Sequence, residues 1–222
     1  MKPTKPIFRG AATALITPLT REGVDYAAFG RLIDWQIAQG VSALVIAGTT
    51  GEGATLSDRE HKDVIRYAVE HTAGRVPIIA GTGSNNTAHA IELSRYACEV
   101  GADALLVVTP YYNKATQSGL VQSYFAIADA VTKPMILYNV PSRTDVNIAP
   151  ETYLKLAEHP NIAAIKEANG DLSKIVSTMA LVGDKLDLYS GNDDLIVPLL
   201  SLGGCGVISV LSNVMPAQTE QI

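Results

Sequence analysis

Eight short apolar segments alternate with longer amphipathic segments along the chain. Each short segment is almost continuously apolar, which is typical of a strand that is buried on both faces of a parallel sheet. The predicted strands cover residues 11–16, 43–47, 77–80, 104–108, 135–138, 162–165, 186–189 and 206–210.

Seven amphipathic helices are predicted between these strands. Phe29, Ile33 and Ile37 recur at helical spacing, and Ser57 and Glu60 have the spacing of a capping box. Strict alternation of eight strands with helices predicts an α/β fold, a (β/α)8 TIM barrel, with the open doubly wound sheet as the alternative. Because little chain follows the last strand, we expect residues 1–222 to form a single barrel domain truncated after strand eight, with an incomplete eighth helix.

Composition and charge exclude several classes of protein. The chain is 47% hydrophobic and only 18% charged, which excludes a disordered chain. Its formal net charge is −5 and it has no basic tract, so we expect no nucleic-acid partner. The two cysteines, Cys98 and Cys205, lie far apart and outside any C-x-x-C motif, which favours a reducing, cytoplasmic location over a disulfide framework.

Two further features bear on membranes and metals. Residues 195–219 contain no charged residue, but prolines and a glycine-rich turn divide this segment into a short helix and a short strand, so we expect no membrane partner. The four histidines have no metal-ligand spacing, and we expect all of them at the surface, with no metal and no cofactor. These histidines are His61, His71, His89 and His159.

Candidate chemistry lies where the predicted strands end, because barrel active sites form at the carboxyl ends of the strands. Lys166 ends the sixth apolar segment. A lysine at the apolar mouth of a barrel is desolvated, which lowers its pKa and frees the amine as a nucleophile toward carbonyl groups. The alternatives are a lysine that extends its amine to water and a lysine paired with Glu167.

Other strand ends offer hydroxyl groups and one cation. Thr49 and Thr50 lie in a glycine-rich turn and could bind a carboxylate, although such a turn can also be purely structural. Tyr112 and Tyr138 could present phenols for proton transfer or could pack as rings at the barrel rim. Arg143 could bind a carboxylate or could be an ordinary surface arginine.

Five short segments of the chain, each at the end of a predicted strand, together resemble the dihydrodipicolinate synthase family. This family lies within the N-acetylneuraminate lyase superfamily of pyruvate-dependent class I aldolases. The resemblance extends from about residue 7 to the end of the chain. The matching segments are residues 48–52 (GTTGE), 109–113 (TPYYN), 137–144 (LYNVPSRT), 165–167 (IKE) and 190–193 (SGND).

The resemblance implies a role for each candidate residue. Lys166 is expected to form a Schiff base with pyruvate, and Tyr138, Thr49 and Tyr112 are expected to form a proton relay. Tyr112 is expected to enter the active site of a neighbouring subunit. Thr50 and backbone groups near Ile208 are expected to hold the pyruvate carboxylate, and Arg143 is expected to bind the carboxylate of aspartate semialdehyde. Gly191 is a further implied substrate-binding residue.

The implied reaction condenses pyruvate with L-aspartate 4-semialdehyde to give 4-hydroxy-tetrahydrodipicolinate in lysine biosynthesis. The alternatives are another pyruvate-dependent aldolase, such as N-acetylneuraminate lyase, and a truncated, weakly active or inactive oligomeric scaffold. The Pro-Ser-Arg-Thr run that contains Arg143 favours the synthase over the lyase.

The family's usual continuation bears on assembly. Family members complete the eighth helix and add about three more, so we expect this chain to have no C-terminal helical domain and uncertain activity. The outer faces of strands one and eight should then be exposed, and we expect a homo-oligomer, dimer or tetramer, that covers them. The apolar residues involved are Ala12, Ala14, Leu15, Val207, Ile208 and Val210.

The resemblance also bears on regulation. Family members that are inhibited by lysine typically carry histidine where this chain has Asp58 and glutamate where it has His89. The carboxylate that would bind the lysine ammonium group is therefore missing at position 89. We expect lysine feedback to be weak or absent.

Overall fold

The apolar segments form parallel strands that close into one barrel in the computed structural model, which describes residues 5–222. Each barrel strand pairs with its neighbour in sequence, and β10 pairs with β1 to close the ring. The (β/α)8 barrel prediction is therefore confirmed. In chain order the strands are β1 (Gly10–Ala14), β2 (Leu19–Thr20), β3 (Gly23–Val24), β4 (Ala43–Ile46), β5 (Ile78–Gly81), β6 (Ala104–Val108), β7 (Met135–Asn139), β8 (Ile162–Glu167), β9 (Asp187–Ser190) and β10 (Gly206–Ser209).

Helices follow the barrel strands and pack around them. The capping box at the start of α2 is present, because the Ser57 hydroxyl accepts from the Glu60 amide and the Glu60 carboxylate accepts from the Ser57 amide. In chain order the helices are α1 (Tyr26–Ala38), α2 (Asp58–Thr72), α3 (Thr87–Glu99), α4 (Gln117–Asp129), α5 (Pro141–Thr144), α6 (Pro150–Leu156), α7 (Leu172–Val182), α8 (Ile196–Ser201) and α9 (Pro216–Glu220).

Some short elements have no counterpart among the predictions. Strands β2 and β3 form an antiparallel hairpin after β1, and the single-turn helix α5 follows β7. Two 3₁₀ turns lie at Asp193–Leu195 and Leu211–Asn213. These elements are too short to carry a hydrophobic period, which is the signal that predicts the longer ones.

The core consists of an interior layer and an outer layer. Alternate strand residues such as Ala12, Ile136 and Ala164 point into the barrel. Their neighbours, such as Leu137 and Ile165, pack outward against the helices. Both faces of the strands are therefore buried, as the continuously apolar segments predict.

The prediction that the outer faces of strands one and eight are exposed is wrong. Of the six residues named for it, Ala12, Ala14, Leu15, Val207 and Ile208 are buried. Only Val210, which lies beyond the end of β10, is half exposed. Ala12, Ala14 and Ile208 also belong to the barrel interior, so they do not lie on the outer face at all.

Three local elements cover this face. Ile196 and Leu200 of α8 pack against Ala11 and Val207. Gln36 of α1 is fully buried, where it accepts a hydrogen bond from Thr13 Oγ1 (2.8 Å) and donates to the carbonyl oxygen of Ser212 (2.9 Å). Glu220 of α9 accepts from the Ala11 amide (2.8 Å) and from Ser42 Oγ (2.7 Å).

The uncharged segment of residues 195–219 forms short, separate elements, as predicted. Helix α8, strand β10 and helix α9 divide it, and each is at most six residues long. None of the helices formed by residues 5–222 combines the length and apolar character needed to cross a membrane.

Candidate active site

Lys166 and Tyr138 face each other inside the carboxyl end of the barrel. They are register partners on β8 and β7, and Lys166 Nζ lies 4.1 Å from the centroid of the Tyr138 ring. Both side chains are buried, and Lys166 is only 5% exposed. The two strand ends therefore bring an amine and a phenol together in the barrel interior.

Burial controls the protonation of Lys166. Desolvation lowers the pKa of its amine from 10.5 to about 7, with a smaller contribution from the Arg143 guanidinium, while the Asp193 carboxylate opposes the shift. A large fraction of the amine is therefore neutral and nucleophilic near pH 7. The desolvation predicted from the apolar segment is confirmed.

The two alternatives for Lys166 fail on geometry. A lysine that reaches water would be exposed, and this one is not. Glu167, its proposed partner, lies on the outer face of β8, where its carboxylate accepts from Asn139 Nδ2 (2.9 Å) and the Tyr153 hydroxyl (3.0 Å). Adjacent residues of a strand point to opposite faces, so Glu167 cannot pair with Lys166.

Tyr138 forms a hydroxyl pair with Thr49. Burial raises the pKa of the Tyr138 phenol, whereas the nearby Arg143 guanidinium and a hydrogen bond with the Thr49 side chain oppose that rise. Thr49 lies in the turn after β4, so this contact joins two separate strand ends. The structure thus assembles Lys166, Tyr138 and Thr49 into one site.

The turn that carries Thr49 requires its glycines. A Cβ atom at Gly53 would lie 2.1 Å from the carbonyl oxygen of Ala47, and one at Gly51 would lie 2.8 Å from the carbonyl oxygen of Leu15. Thr17 Oγ1 donates to the carbonyl oxygen of Gly51 (2.7 Å) and so fastens the turn to the chain after β1. These close approaches hold Thr49 at the mouth of the barrel.

A cleft of about 520 Å³ opens beside this cluster. Its walls include Thr49, Tyr138, Val140, Arg143 and His61. Arg143 lies on α5, directly after β7, and its guanidinium is close enough to lower the pKa values of both Tyr138 and Lys166. The cleft therefore holds two hydroxyls and a guanidinium, and the Lys166 amine lies behind its Tyr138 wall, 4.1 Å from that ring. This combination suits a small carbonyl compound with a carboxylate.

The remaining predicted residues lie in different positions. Gly191 adjoins Lys166, since a Cβ there would lie 3.2 Å from Lys166 Cε, and Ile208 is buried in the barrel interior. Thr50 is half-buried in the turn and is not part of the cleft wall. Tyr112 is 90% exposed with a φ of +73° and does not line the cleft, whereas its neighbour Tyr111 does.

The prediction of four surface histidines is wrong for His61. This side chain is 6% exposed, with Nδ1 3.2 Å from the carbonyl oxygen of Gly53 and Nε2 2.7 Å from that of Gly81. Burial is the main reason that its pKa is lowered. His61 lies on the same inward stripe of α2 as Val64, Ile65 and Ala68, which is the signal that could have identified it.

Each of the other three histidines lies beside a carboxylate. His71 faces Asp34, His89 faces Asp58 and His159 faces Asp129, at N–O distances of 3.0 to 3.1 Å. Within residues 5–222 no group of three or more histidine, cysteine, aspartate or glutamate side chains is placed to hold a metal ion.

Comparison with known proteins gives a consistent result. A family model described as "Dihydrodipicolinate synthetase family" matches residues 7–222. The chain is 54% identical to the 4-hydroxy-tetrahydrodipicolinate synthase of Acetivibrio thermocellus and 51% identical to that of Thermoanaerobacter sp.. In each alignment 98% of this chain is covered, together with 74% and 73% of the respective relative.

Solved structures show the same similarity. The crystal structure of dihydrodipicolinate synthase from Aquifex aeolicus superposes with a TM-score of 0.94 at 46% sequence identity. The superposition covers 96% of this chain and 73% of the other. The barrel and its site thus correspond to about three quarters of these relatives.

Proposed function

The chain belongs to the dihydrodipicolinate synthetase family, and we propose that its Lys166 is the amine that forms a Schiff base with pyruvate. The family's reaction is a pyruvate-dependent aldol condensation in lysine biosynthesis, and this chain is an enzyme of that type, a lyase. The N-acetylneuraminate lyase alternative is not favoured, because the curated relatives that cover nearly the whole chain are synthases. The observation that carries the proposal is the buried Lys166 amine, whose pKa is about 7, beside Tyr138.

The proposed chemistry begins with the neutral amine of Lys166. Its nitrogen attacks the ketone carbon of pyruvate, and loss of water leaves an iminium, which draws electrons from the adjacent methyl carbon. Loss of a proton from that carbon gives an enamine, which attacks the aldehyde carbon of aspartate semialdehyde and forms the new carbon–carbon bond. The amino group of the condensed semialdehyde then attacks the iminium carbon, and loss of the Lys166 amine from that carbon closes the product ring and regenerates Lys166. The condensation involves no oxidation or reduction, because the iminium takes up the electron pair that remains when the methyl carbon loses its proton.

Proton transfers are assigned to the hydroxyl pair. Tyr138 and Thr49 share a hydrogen bond beside the amine, so protons can pass along them without leaving a fixed charge near the substrate carboxylates. Arg143 is assigned to the carboxylate of aspartate semialdehyde, because a guanidinium can form two parallel hydrogen bonds with a carboxylate. Pyruvate's own carboxylate is assigned to Thr50 and the backbone near Ile208. Gly191, which adjoins Lys166, is assigned to substrate binding.

Tyr112 is assigned to the active site of a second copy of the chain. Its side chain is almost fully exposed, and its backbone has a positive φ that L-residues rarely adopt. An exposed tyrosine on a strained loop suits a contact between subunits better than a role within one chain. We therefore infer a homo-oligomer of this single barrel domain. Within residues 5–222 its two cysteines form no disulfide framework, which supports the proposal that it acts in the cytoplasm.

Borohydride trapping tests the central assignment. Incubation with pyruvate followed by borohydride should reduce the imine and add one pyruvate-derived group, which peptide mass spectrometry should locate at Lys166. Lys166→Ala should take up no label, whereas the exposed control Lys155→Ala should label fully. Label that persists in Lys166→Ala would overturn the proposal.

Two further variants separate the roles of the neighbouring residues. Tyr138→Phe keeps the ring and removes the hydroxyl, and it should slow turnover by about 10² to 10⁴. Arg143→Ala should raise the KM for aspartate semialdehyde while imine formation with pyruvate is nearly unchanged. Equal losses in both measurements for Arg143→Ala would indicate a structural role instead.

A further inference from the structure

The pairing of β7 and β8 contains one extra residue. Met135 pairs with Ile162, but the next residue, Ile136, pairs with Ala164, so Ala163 has no partner in the ladder. Such a bulge shifts all later pairs by one position. Its effect is visible in the packing, because Ile162 and Ile165 both face the outer layer although they are three residues apart.

This shift decides which way Lys166 points. Beyond the bulge, Tyr138 pairs with Lys166 and both side chains face the interior. In a continuous ladder Tyr138 would pair with Ile165, and Lys166 would point into the outer layer of helices. A one-residue change of register turns every later side chain of a strand to the opposite face. The register of β7 and β8 is therefore a requirement for the site.

The next pair holds that register from the outside. Asn139 and Glu167 are fully or nearly fully buried register partners, and Asn139 Nδ2 donates to both Glu167 carboxylate oxygens, at 2.9 and 3.2 Å. Asn139 follows Tyr138 and Glu167 follows Lys166 in sequence. The contact thus fixes the backbone positions next to the two reactive side chains without touching them.

Three further hydrogen bonds anchor this pair to the surrounding elements. The Tyr153 hydroxyl of α6 donates to Glu167 Oε2 (3.0 Å), and the Asn169 amide donates to Glu167 Oε1 (3.0 Å). Asn139 Nδ2 also donates to Asn147 Oδ1 (2.7 Å) in the loop before α6. The Glu167 carboxylate therefore keeps its hydrogen bonds to Asn139 and Tyr153 only when β8 holds this register relative to β7 and α6.

We propose that Asn139, Tyr153 and Glu167 form a register lock that positions Lys166 and Tyr138 for imine formation. The inference rests on the proposed role of Lys166 as the reacting amine. The lock residues are positioning residues, because they lie on the outer face of the barrel and do not reach the cleft.

A purely stabilising role does not explain a carboxylate here. The preceding outer pair is apolar, with Leu137 opposite Ile165. Burying an acid between layers costs free energy that an apolar pair avoids, and that burial raises the pKa of the Glu167 carboxyl to about 7. An apolar pair, however, packs almost equally well after a shift, whereas a hydrogen-bonded polar pair does not. The polar pair therefore selects one register.

The main test replaces the lock with an apolar pair. The double variant Asn139→Leu/Glu167→Leu removes both halves of the pair at once, but it leaves the Tyr153 hydroxyl, the Asn169 amide and Asn147 Oδ1 without this partner. Circular dichroism therefore establishes first that the variant is folded. Its imine formation with pyruvate, trapped by borohydride, should be at least about fivefold slower at pH 7.

The midpoint of the double variant's pH profile should rise by about one unit or more, because the Lys166 amine loses its fixed buried position while the charged groups near it, Asp193 and Arg143, are unchanged. The Glu167 carboxyl also has a pKa of about 7, and Glu167→Gln, which removes that acid, should keep the wild-type midpoint. Glu167→Gln can still accept from Asn139 and should recover most of the rate.

A matched control removes a different buried polar pair. Ser94 Oγ donates to Thr82 Oγ1 (2.8 Å) next to β5, and the double variant Thr82→Val/Ser94→Ala should leave both rate and pH midpoint unchanged. If the apolar double variant fails to fold, the rate and the pH midpoint are measured on Tyr153→Phe instead. This variant should slow imine formation at least about twofold.

The outcomes separate the two proposals. If Lys166→Ala still takes up label, the proposed function fails. If a folded apolar variant labels Lys166 at the wild-type rate and with the wild-type pH midpoint, the register lock is wrong and the proposed function stands. An unchanged rate and midpoint in Tyr153→Phe, when the double variant is unfolded, would equally overturn the lock.

Discussion

The buried amine of Lys166 lowers the stability of the folded protein. Its pKa is about 7 in the folded protein and 10.5 in the unfolded chain, so between these values the unfolded state binds a proton that the folded state does not. The stability cost is absent above pH 10.5, grows as the pH falls towards 7 and is complete below it. At about 1.4 kcal/mol per pH unit, it amounts to a few kcal/mol at neutral pH.

We therefore expect Lys166→Met to inactivate the enzyme and to stabilise the fold. The gain in unfolding free energy should be a few kcal/mol at pH 7 and much smaller at pH 10. Urea titration at both pH values measures it, with the exposed Lys155→Met as the matched control. An equal gain at the two pH values would contradict the account, because it would come from packing rather than from proton binding.

Asp58 and His89 determine our expectation about lysine feedback. His89 Nε2 lies 3.0 Å from Asp58 Oδ1, so the aspartate carboxylate already has a hydrogen-bond partner. Without another carboxylate at position 89, a lysine ammonium group has no strong acceptor there. Half-inhibition should require lysine well above the order of 1 mM.

The exchange variant Asp58→His/His89→Glu tests this explanation. It restores the carboxylate at position 89, and lysine should then inhibit at a concentration at least about tenfold lower. His71→Glu adds a carboxylate at the far end of α2, the helix that begins at Asp58, and should leave the inhibition curve unchanged. Strong inhibition of the unmodified protein would show that the ammonium group finds a different acceptor.

Helix α9 shows how a short element can have a large structural effect. Its Glu220 carboxylate reaches the Ala11 amide and Ser42 Oγ, more than 170 residues away in sequence. The approach depends on Gly10, whose φ is +100° and whose hypothetical Cβ would lie 2.1 Å from Glu220 Oε1. The helix thereby covers the start of β1, which would otherwise face solvent.

Glu220→Ala should therefore destabilise the barrel although the site is distant. Loss of an acceptor for two partly buried donors should lower the free energy of unfolding by about 1 to 3 kcal/mol. Urea titration compares it with Glu70→Ala, an exposed glutamate of α2. The role of α9 would be disproved if the two variants were equally stable.

Assembly of whole molecules should determine activity through Tyr112. If this residue acts in the site of a partner, Tyr112→Phe should lose about 10² or more in turnover while its own Lys166 still forms the imine. Lys166→Ala should be inactive for the opposite reason, since it keeps the phenol and loses the amine.

Mixing these two inactive variants distinguishes action between chains from action within one chain. In a symmetric dimer, each mixed pair contains one complete site, with Lys166 from one subunit and Tyr112 from the other. Random exchange in equal amounts makes half of the dimers mixed, so about one quarter of the wild-type activity should return. No recovery after proven subunit exchange would place Tyr112 in its own chain's site.

Several features of this protein followed from local sequence. The eight continuously apolar segments predicted the eight barrel strands, because strands buried on both faces need no polar alternation. Lys166 could be identified as a desolvated amine because it ends one of those segments, and strand ends are where a barrel opens. The capping box of Ser57 and Glu60 predicted the start of α2, since its hydrogen bonds span only three residues.

Other features were beyond local sequence. His61 was expected at the surface because its spacing gave no metal motif, yet its ring fills the space between two strand-end turns. The outer faces of strands one and eight were expected to be open, but Gln36, Leu200 and Glu220 cover them. In each case the partners lie on different elements, and no local pattern specifies which elements will meet.

By itself, the sequence determined where the strands, the longer helices and the reactive side chains lie along the chain. Hydrophobic period and capping act over a few residues, which is why these properties can be read locally. Only the tertiary structure decided that β8 carries a bulge, that Tyr138 meets Lys166 rather than Ile165, and that Asn139 meets Glu167. Register is a relation between two strands, and its energy depends on both of them together with the helix packed behind them.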